Sequence, residues 1–114
     1  GELTKRFLLY KQQKGIDIKG QFGSSIVATK SGVVVYSGNG LRGYGNLVIL
    51  KHANNYLSAY AFNKNIIVKE GQKVKAKQKI AEMGRRKGRN GLLHFEIRRK
   101  GHPVDPLKYL SKHW

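Results

Sequence analysis

Cysteine is absent from this 114-residue chain, which excludes disulfides, thiol nucleophiles and every thiolate-bound zinc site. A reducing compartment and an envelope compartment both stay open. Proline occurs twice and acidic side chains six times, against 23 lysines and arginines. No apolar run nears the ~20 residues of a membrane-spanning helix; the longest, "LVIL" (47–50) and "GVVVY" (32–36), are strand-sized. Secretory and lipid-attachment signals are missing too. The abrupt start at Gly1-Glu2-Leu3 is expected of a piece cut from a longer protein.

What is abundant is positive charge. The formal net charge is +17, and it is uneven: residues 1–50 hold 7 basic and 2 acidic side chains, residues 51–114 hold 16 and 4. Such a surface attracts polyanions and speeds encounter with acidic partners, less so at high salt. Charge alone does not choose among nucleic acid, anionic lipid, an acidic protein and a merely solvated face. No helix-turn-helix, RNP-like or zinc-finger pattern is visible, so nucleic acid is not an expected partner.

With 39% hydrophobic residues and no low-complexity tract, the chain reads as one folded domain around a single modest core. Short β-branched runs separated by glycine turns predict a mostly β fold. Ile26–Thr29 and Val33–Tyr36 are expected to form a hairpin around "KSG", and Leu47–His52 and Tyr56–Ala61 a second around "ANN". "GNGLRGYGN" (38–46) and "GRRKGRN" (84–90) read as glycine-rich loops. "IIVKEGQKVKAKQKIAEMG" (66–84) predicts strand, tight turn and strand, with Lys69, Lys73, Lys75, Lys77 and Lys79 on a solvated side. No internal repeat is evident. In "GLLHFEIRR" (91–99), period-two alternation puts Leu92, His94 and Glu96 on one face and Leu93, Phe95 and Ile97 on the other. Asp105-Pro106 supplies an N-cap and a first-turn proline for a short helix over Pro106–Leu110.

The order of these phrases resembles the LytM, or lysostaphin-like, zinc metallopeptidase domain. "KGIDI" (14–18), "GYGNLVILKH" (43–52), "YLSAYAFN" (56–63), "VKEGQKVKAKQKIAEMG" (68–84), "LHFEIR" (93–98) and "HPVDPLKYL" (102–110) follow in the family's order over nearly the whole chain. Phrases such as "GNGLRGYGNL" and "YLSAYA" are most similar to its NlpD-type group. The resemblance implies a single LytM domain, 1–114, from a longer envelope protein. Its expected fold is an antiparallel β sandwich with a groove, of the duplicated hybrid motif type, and a short C-terminal helix.

Active members hold zinc with a His and an Asp from H-x-G-x-D and the second His of H-x-H. Two more histidines, the first of H-x-H and one in Y-A-H, assist. Carried over, the first ligand position is Gln13, while Asp17 and His94 are retained as vestigial ligands. The assisting positions are Phe62 and Leu92. Hydrolytic zinc needs about three protein ligands plus an open position for water. A neutral amide oxygen is a poor donor beside imidazole, and Phe62 and Leu92 can neither take nor give a proton. Lys14 adds a positive charge beside the lost ligand. No catalytic residue, no zinc and no peptidase activity are therefore expected, and Asp17 and His94 are expected to form a hydrogen-bonded pair. His52 reads as structural, and His102 and His113 as surface residues.

The substitutions leave a candidate protein-binding groove, with Tyr44, Tyr60, Phe62 and Leu92 as an apolar centre and Arg42, Arg85, Arg86 and Arg89 as a basic rim. The NlpD-type resemblance implies activation of an N-acetylmuramoyl-L-alanine amidase that splits septal peptidoglycan in cell division. It also implies a periplasmic location in a Gram-negative bacterium, with any membrane attachment made by an upstream lipoprotein anchor. The alternative is a peptidoglycan- or polyanion-binding anchor module without regulatory output.

Overall fold

The computed structural model describes residues 2–5, 14–86 and 88–110, the side chains of 2–5 and of Arg89 excepted. Gln13 and His113 lie outside the described residues. The described strands are β1 (Glu2–Lys5), β2 (Ile16–Lys19), β3 (Ser25–Val27), β4 (Gly32–Gly38), β5 (Leu47–Lys51), β6 (Tyr56–Ala61), β7 (Asn63–Ile66), β8 (Lys73–Val74), β9 (Lys79–Arg86), β10 (Arg89–Arg99) and β11 (His102–Val104). A single-turn helix, α1 (Leu107–Leu110), follows; Asp105 Oδ1 accepts the N–H of Leu107 at 3.0 Å. The expected cap is thus made, with Pro106 just outside the helix.

The long path of the sheet runs β1-β2-β10-β6-β5-β4-β8, all antiparallel, and a smaller group, β3-β9-β7, is joined to it through β9–β10 pairing. The core lies between these two layers. Alternation along the long path decides what enters it: Ile16, Val34, Val48, Leu50, Tyr60, Phe95 and Ile97 point inward against Ile26, Ile80, Ala81 and Met83. Tyr60 and Phe95 are cross-strand neighbours with ring centroids 5.3 Å apart, a tilted aromatic contact worth about 1 kcal/mol beyond its buried area. The opposite face of the same strands carries a second cluster: Leu47, Ala59 and Ala61 with Tyr36, Tyr44, Ile49 and Phe62.

The β5–β6 hairpin forms as expected, with Asn54 and Asn55 at positive φ in its turn. The β3–β4 hairpin does not. β3 pairs with β9, Ile26 opposite Ala81, so its partner lies more than fifty residues downstream and no local turn signal could show it. "GRRKGRN" is not all loop either: β9 runs to Arg86 and β10 starts at Arg89, so Arg85, Arg86, Arg89 and Asn90 are paired strand residues of a hairpin. A four-residue turn also recurs. In "KEGQ" (69–72) and "KAKQ" (75–78) the glutamine N–H donates to the lysine carbonyl at 3.0 and 3.1 Å, and the lysine N–H donates back to the glutamine Oε1 at 3.1 and 2.9 Å. The third residue of each, Gly71 and Lys77, has positive φ, as such turns require.

The inner face also holds a buried polar chain. His52 Nδ1–H donates to the Ser31 carbonyl at 2.7 Å, its Nε2 bonds Ser58 Oγ at 2.7 Å, and Ser58 and Thr29 both meet the Tyr60 hydroxyl, at 2.9 and 3.0 Å. This makes His52 the structural histidine that the sequence implied. Burial lowers its pKa below 6.5 despite the opposing bond to Ser31. A lowered histidine supports the fold fully above pH 6.5, and that support is lost as pH falls through its folded value, because the unfolded chain binds the proton first. Between pH 7.5 and 5 the urea midpoint of the wild-type chain should lose ground relative to that of His52→Asn, because His94 titrates alike in both.

Candidate functional site

Strands β2, β10 and β6 lie side by side, which sets Asp17 opposite His94 and His94 opposite Ala61. The backbone ladder alone therefore brings the two retained ligand positions together. His94 Nδ1 lies 2.7 Å from Asp17 Oδ1, and its other nitrogen, Nε2, lies 2.8 Å from Glu96 Oε2. Each ring nitrogen faces a carboxyl oxygen, an arrangement that suits the imidazolium form beside two ionised carboxylates. Burial by itself would lower the His94 pKa, but the bonds and charges of Asp17 and Glu96 outweigh it and raise the value.

Glu96 is the residue that sequence reasoning missed. It is 1% exposed, and its second oxygen takes both Nε and Nη2 of Arg98 at 3.0 Å, while the Tyr44 hydroxyl lies near enough to act on the carboxylate. Desolvation pushes the Glu96 pKa up, yet His94, Arg98 and Tyr44 together hold it below the usual range. Burial, followed by Glu96, raises that of Tyr44. Asp17, His94, Glu96 and Arg98 thus form an electrically neutral line of two anions and two cations. The signal was present in the sequence, because Glu96 lies two residues from His94 on the same strand face.

Of the family's three ligand positions the described residues carry two, Asp17 and His94, and carbon atoms stand at the assisting positions Phe62 and Leu92. Among the described residues no three His, Cys, Asp or Glu side chains group to hold a metal.

The groove residues are placed differently from the sequence expectation. Phe62 and Tyr44 do flank His94, each ring centroid 6.2 Å from the imidazole. They are held by the glycine-rich loop: Phe62 N–H donates to the Tyr44 carbonyl at 3.0 Å, and Asn46 and Asn63 clamp each other's backbones through their side-chain amides. Tyr60 is not in the groove. It points to the core and is 1% exposed, because Phe62 leaves the strand at φ 63 and the period-two parity linking the two residues breaks there. Leu92 is on the groove side but buried at 2%, so it offers a partner almost no surface; it lines a polar cavity of ≈ 380 Å³ with Lys19, Gly88, Asn90 and Gly91.

Nor do the arginines form one rim. Arg85 and Arg86 are successive strand residues and diverge: Arg86 stacks 4.8 Å from the Phe62 ring, whereas Arg85 stacks 4.3 Å from Phe22, which Lys64 also approaches at 5.2 Å. Arg42 is exposed on the glycine-rich loop, and the side chain of Arg89 is outside the described atoms. His102 is exposed, as expected, and Lys14 is exposed as well. What the structure adds is a mainly apolar groove of ≈ 320 Å³ beside the ionic line, lined by Leu41, Tyr44, Leu47, Ile49, Leu57 and Ala59, with Glu96 and Arg98 at its polar end. Leu41 and Leu57 were not among the expected residues.

Residues 11–106 match peptidase family M23. The chain is 58% identical over 99 residues to the lipoprotein NlpD/LppB homolog of Pseudomonas aeruginosa, covering 87% of this chain and 33% of that protein. It is 60% identical over 99 residues to the murein hydrolase activator NlpD of Escherichia coli, covering 87% and 26%. The chain thus spans a third or less of those relatives' length. Among solved structures it superposes on the catalytic domain of a point mutant of the prophage-encoded M23 protein EnpA from Enterococcus faecalis. There the TM-score is 0.77 at 31% identity, covering 96% of this chain and 88% of that one. The catalytic domain of lysostaphin from Staphylococcus simulans gives a TM-score of 0.79 at 24% identity, covering 98% and 90%. With the ladder that pairs Asp17 and His94, the sheet that carries it and these matches in agreement, the chain belongs to peptidase family M23, and within it is similar to the NlpD proteins.

Proposed function

We propose that this chain is a non-hydrolytic M23 domain, working without zinc, that docks on a murein hydrolase and activates it. The enzyme class we assign is an N-acetylmuramoyl-L-alanine amidase acting on septal peptidoglycan. The observation that carries this reading is the closed ionic line Asp17–His94–Glu96–Arg98 at the family's metal position, with an open apolar groove beside it. A side chain such as Leu41, 44% exposed, is available to a partner, and covering one leucine fully contributes about 1.5–3 kcal/mol. Support also comes from relatives named as murein hydrolase activators. Relatives named as lipoproteins, one of them an outer membrane antigenic lipoprotein, support a periplasmic setting in a Gram-negative envelope, with a lipid anchor elsewhere in the full-length protein.

Activation requires that the chain bind the enzyme's open form more tightly than its closed form; a gap of about 1–3 kcal/mol shifts the equilibrium some 5- to 150-fold. The test is dye release from purified sacculi. The chain alone should release nothing, and the cognate amidase should release more dye with the chain than without it. Leu41→Asp and Phe62→Asp, both at positions that reach the surface, should abolish the increase while the circular dichroism spectrum stays that of the folded sheet. Dye release by the chain alone, or an amidase rate that the chain leaves unaltered, overturns the proposal.

A further inference from the structure

We propose that the lysine-bearing edge at β8 is a peptidoglycan-docking surface that works at the same time as the groove. This rests on the activator reading for its purpose, but not for its chemistry. β8 ends the long path of the sheet, whereas β2 and β10, which carry Asp17 and His94, lie toward the other end. The groove itself is lined from β5 and β6, so β4 separates it from the β8 edge.

Residues 69–79 expose five lysines against one glutamate, Glu70. Lys79 pairs with Glu82 at 3.2 Å; among the described residues Lys69, Lys73, Lys75 and Lys77 make no ion pair. The twin turns hold their backbones rigid and present Lys69 and Lys75 at equivalent positions, a repeated presentation suited to a polymer with repeated anionic groups. The charge continues onto the sheet, where the register Lys51–Val33–Lys73 adds one further exposed ammonium group, that of Lys51, on the face of Lys73. The result is a narrow strip, which fits a linear polyanion: the carboxylates of peptidoglycan peptide stems. Residues 69–79 hold no aromatic side chain on which a base could stack, and their one bulky aliphatic residue, Val74, is buried and cannot insert into a bilayer.

The experiment is co-sedimentation of the 114-residue chain with purified sacculi across a salt series, beside co-sedimentation with phosphatidylglycerol vesicles. The edge triple Lys69→Gln, Lys73→Gln and Lys75→Gln should weaken sacculus binding about tenfold at low salt and flatten its salt dependence. A control triple that removes the same charge elsewhere, Lys14→Gln, Lys100→Asn and Lys108→Gln, should bind as the wild-type chain does. Equal loss in both triples, no loss in the edge triple, or stronger binding to vesicles than to sacculi overturns the proposal. Amidase stimulation on a soluble muropeptide should survive the edge triple, and Leu41→Asp should keep sacculus binding. If the chain stimulates no amidase yet the edge triple still loses sacculi, only the activator reading falls.

Discussion

Glu96→Gln should lower the unfolding free energy by about 3 kcal/mol at pH 7, to be read by urea denaturation. The substitution is isosteric, so packing barely changes; what is lost is the anion that both His94 and Arg98 face. Breaking the most buried partner out of the ionic group strips His94, itself only 14% exposed, of one of its two anions, which is why the cost exceeds that of a surface pair. Arg98→Ala should cost less, about 1 kcal/mol, because Arg98 is 28% exposed and its loss leaves Glu96 still bonded to His94. The pH profile carries the same signature. Glu96 has a lowered pKa, so its contribution is present above the ordinary carboxylate range and is lost as pH falls through its folded value. His94 has a raised pKa, so its contribution is complete below 6.5 and is lost as pH rises through its folded value. The line is therefore intact only between those limits, and Glu96→Gln should flatten the stability profile at both ends.

Gly84→Ala is the second large effect, a loss of about 3 kcal/mol. A β-carbon at Gly84 would sit 2.1 Å from the Phe62 carbonyl oxygen and 2.7 Å from the Asn63 carbonyl carbon and the Lys64 nitrogen. All three are backbone atoms, so no rotamer can relieve the clash. Either β9 or the segment 62–64 must move, and Phe62 moves with it. The variant should therefore shift the ring resonances of Phe62 and His94 as well as the urea midpoint, whereas Gly23→Ala, whose β-carbon meets nothing within 4 Å, should leave those resonances in place. A Gly84→Ala chain of wild-type stability would mean that the segment 62–64 yields freely, and Phe62 would then be a poor anchor for any partner.

Much of the architecture was legible wherever its causes were local. The alternation in "GLLHFEIRR" put Leu93, Phe95 and Ile97 in the core, and the asparagine turn joined β5 to β6. The Asp17–His94 contact followed from the order of family phrases, since nothing local ties residues 77 positions apart. The partner of β3 could not be read, because pairing with β9 is decided by the closing of the whole core. Tyr60 was misplaced by one left-handed residue, Phe62, and the arginine rim by a hairpin tip that looked like a loop. Glu96 was in view but ranked behind its neighbour. A glutamate beside a histidine on a strand is ordinary until a guanidinium and a phenol are found on its other side.

His94 and Asp17 are neighbours because their strands are hydrogen-bonded in register. A domain assembled in this way can surrender its catalyst one side chain at a time and keep its shape at every step. The same independence makes the lineage reversible in principle: chemistry could be written back onto a frame that never depended on it.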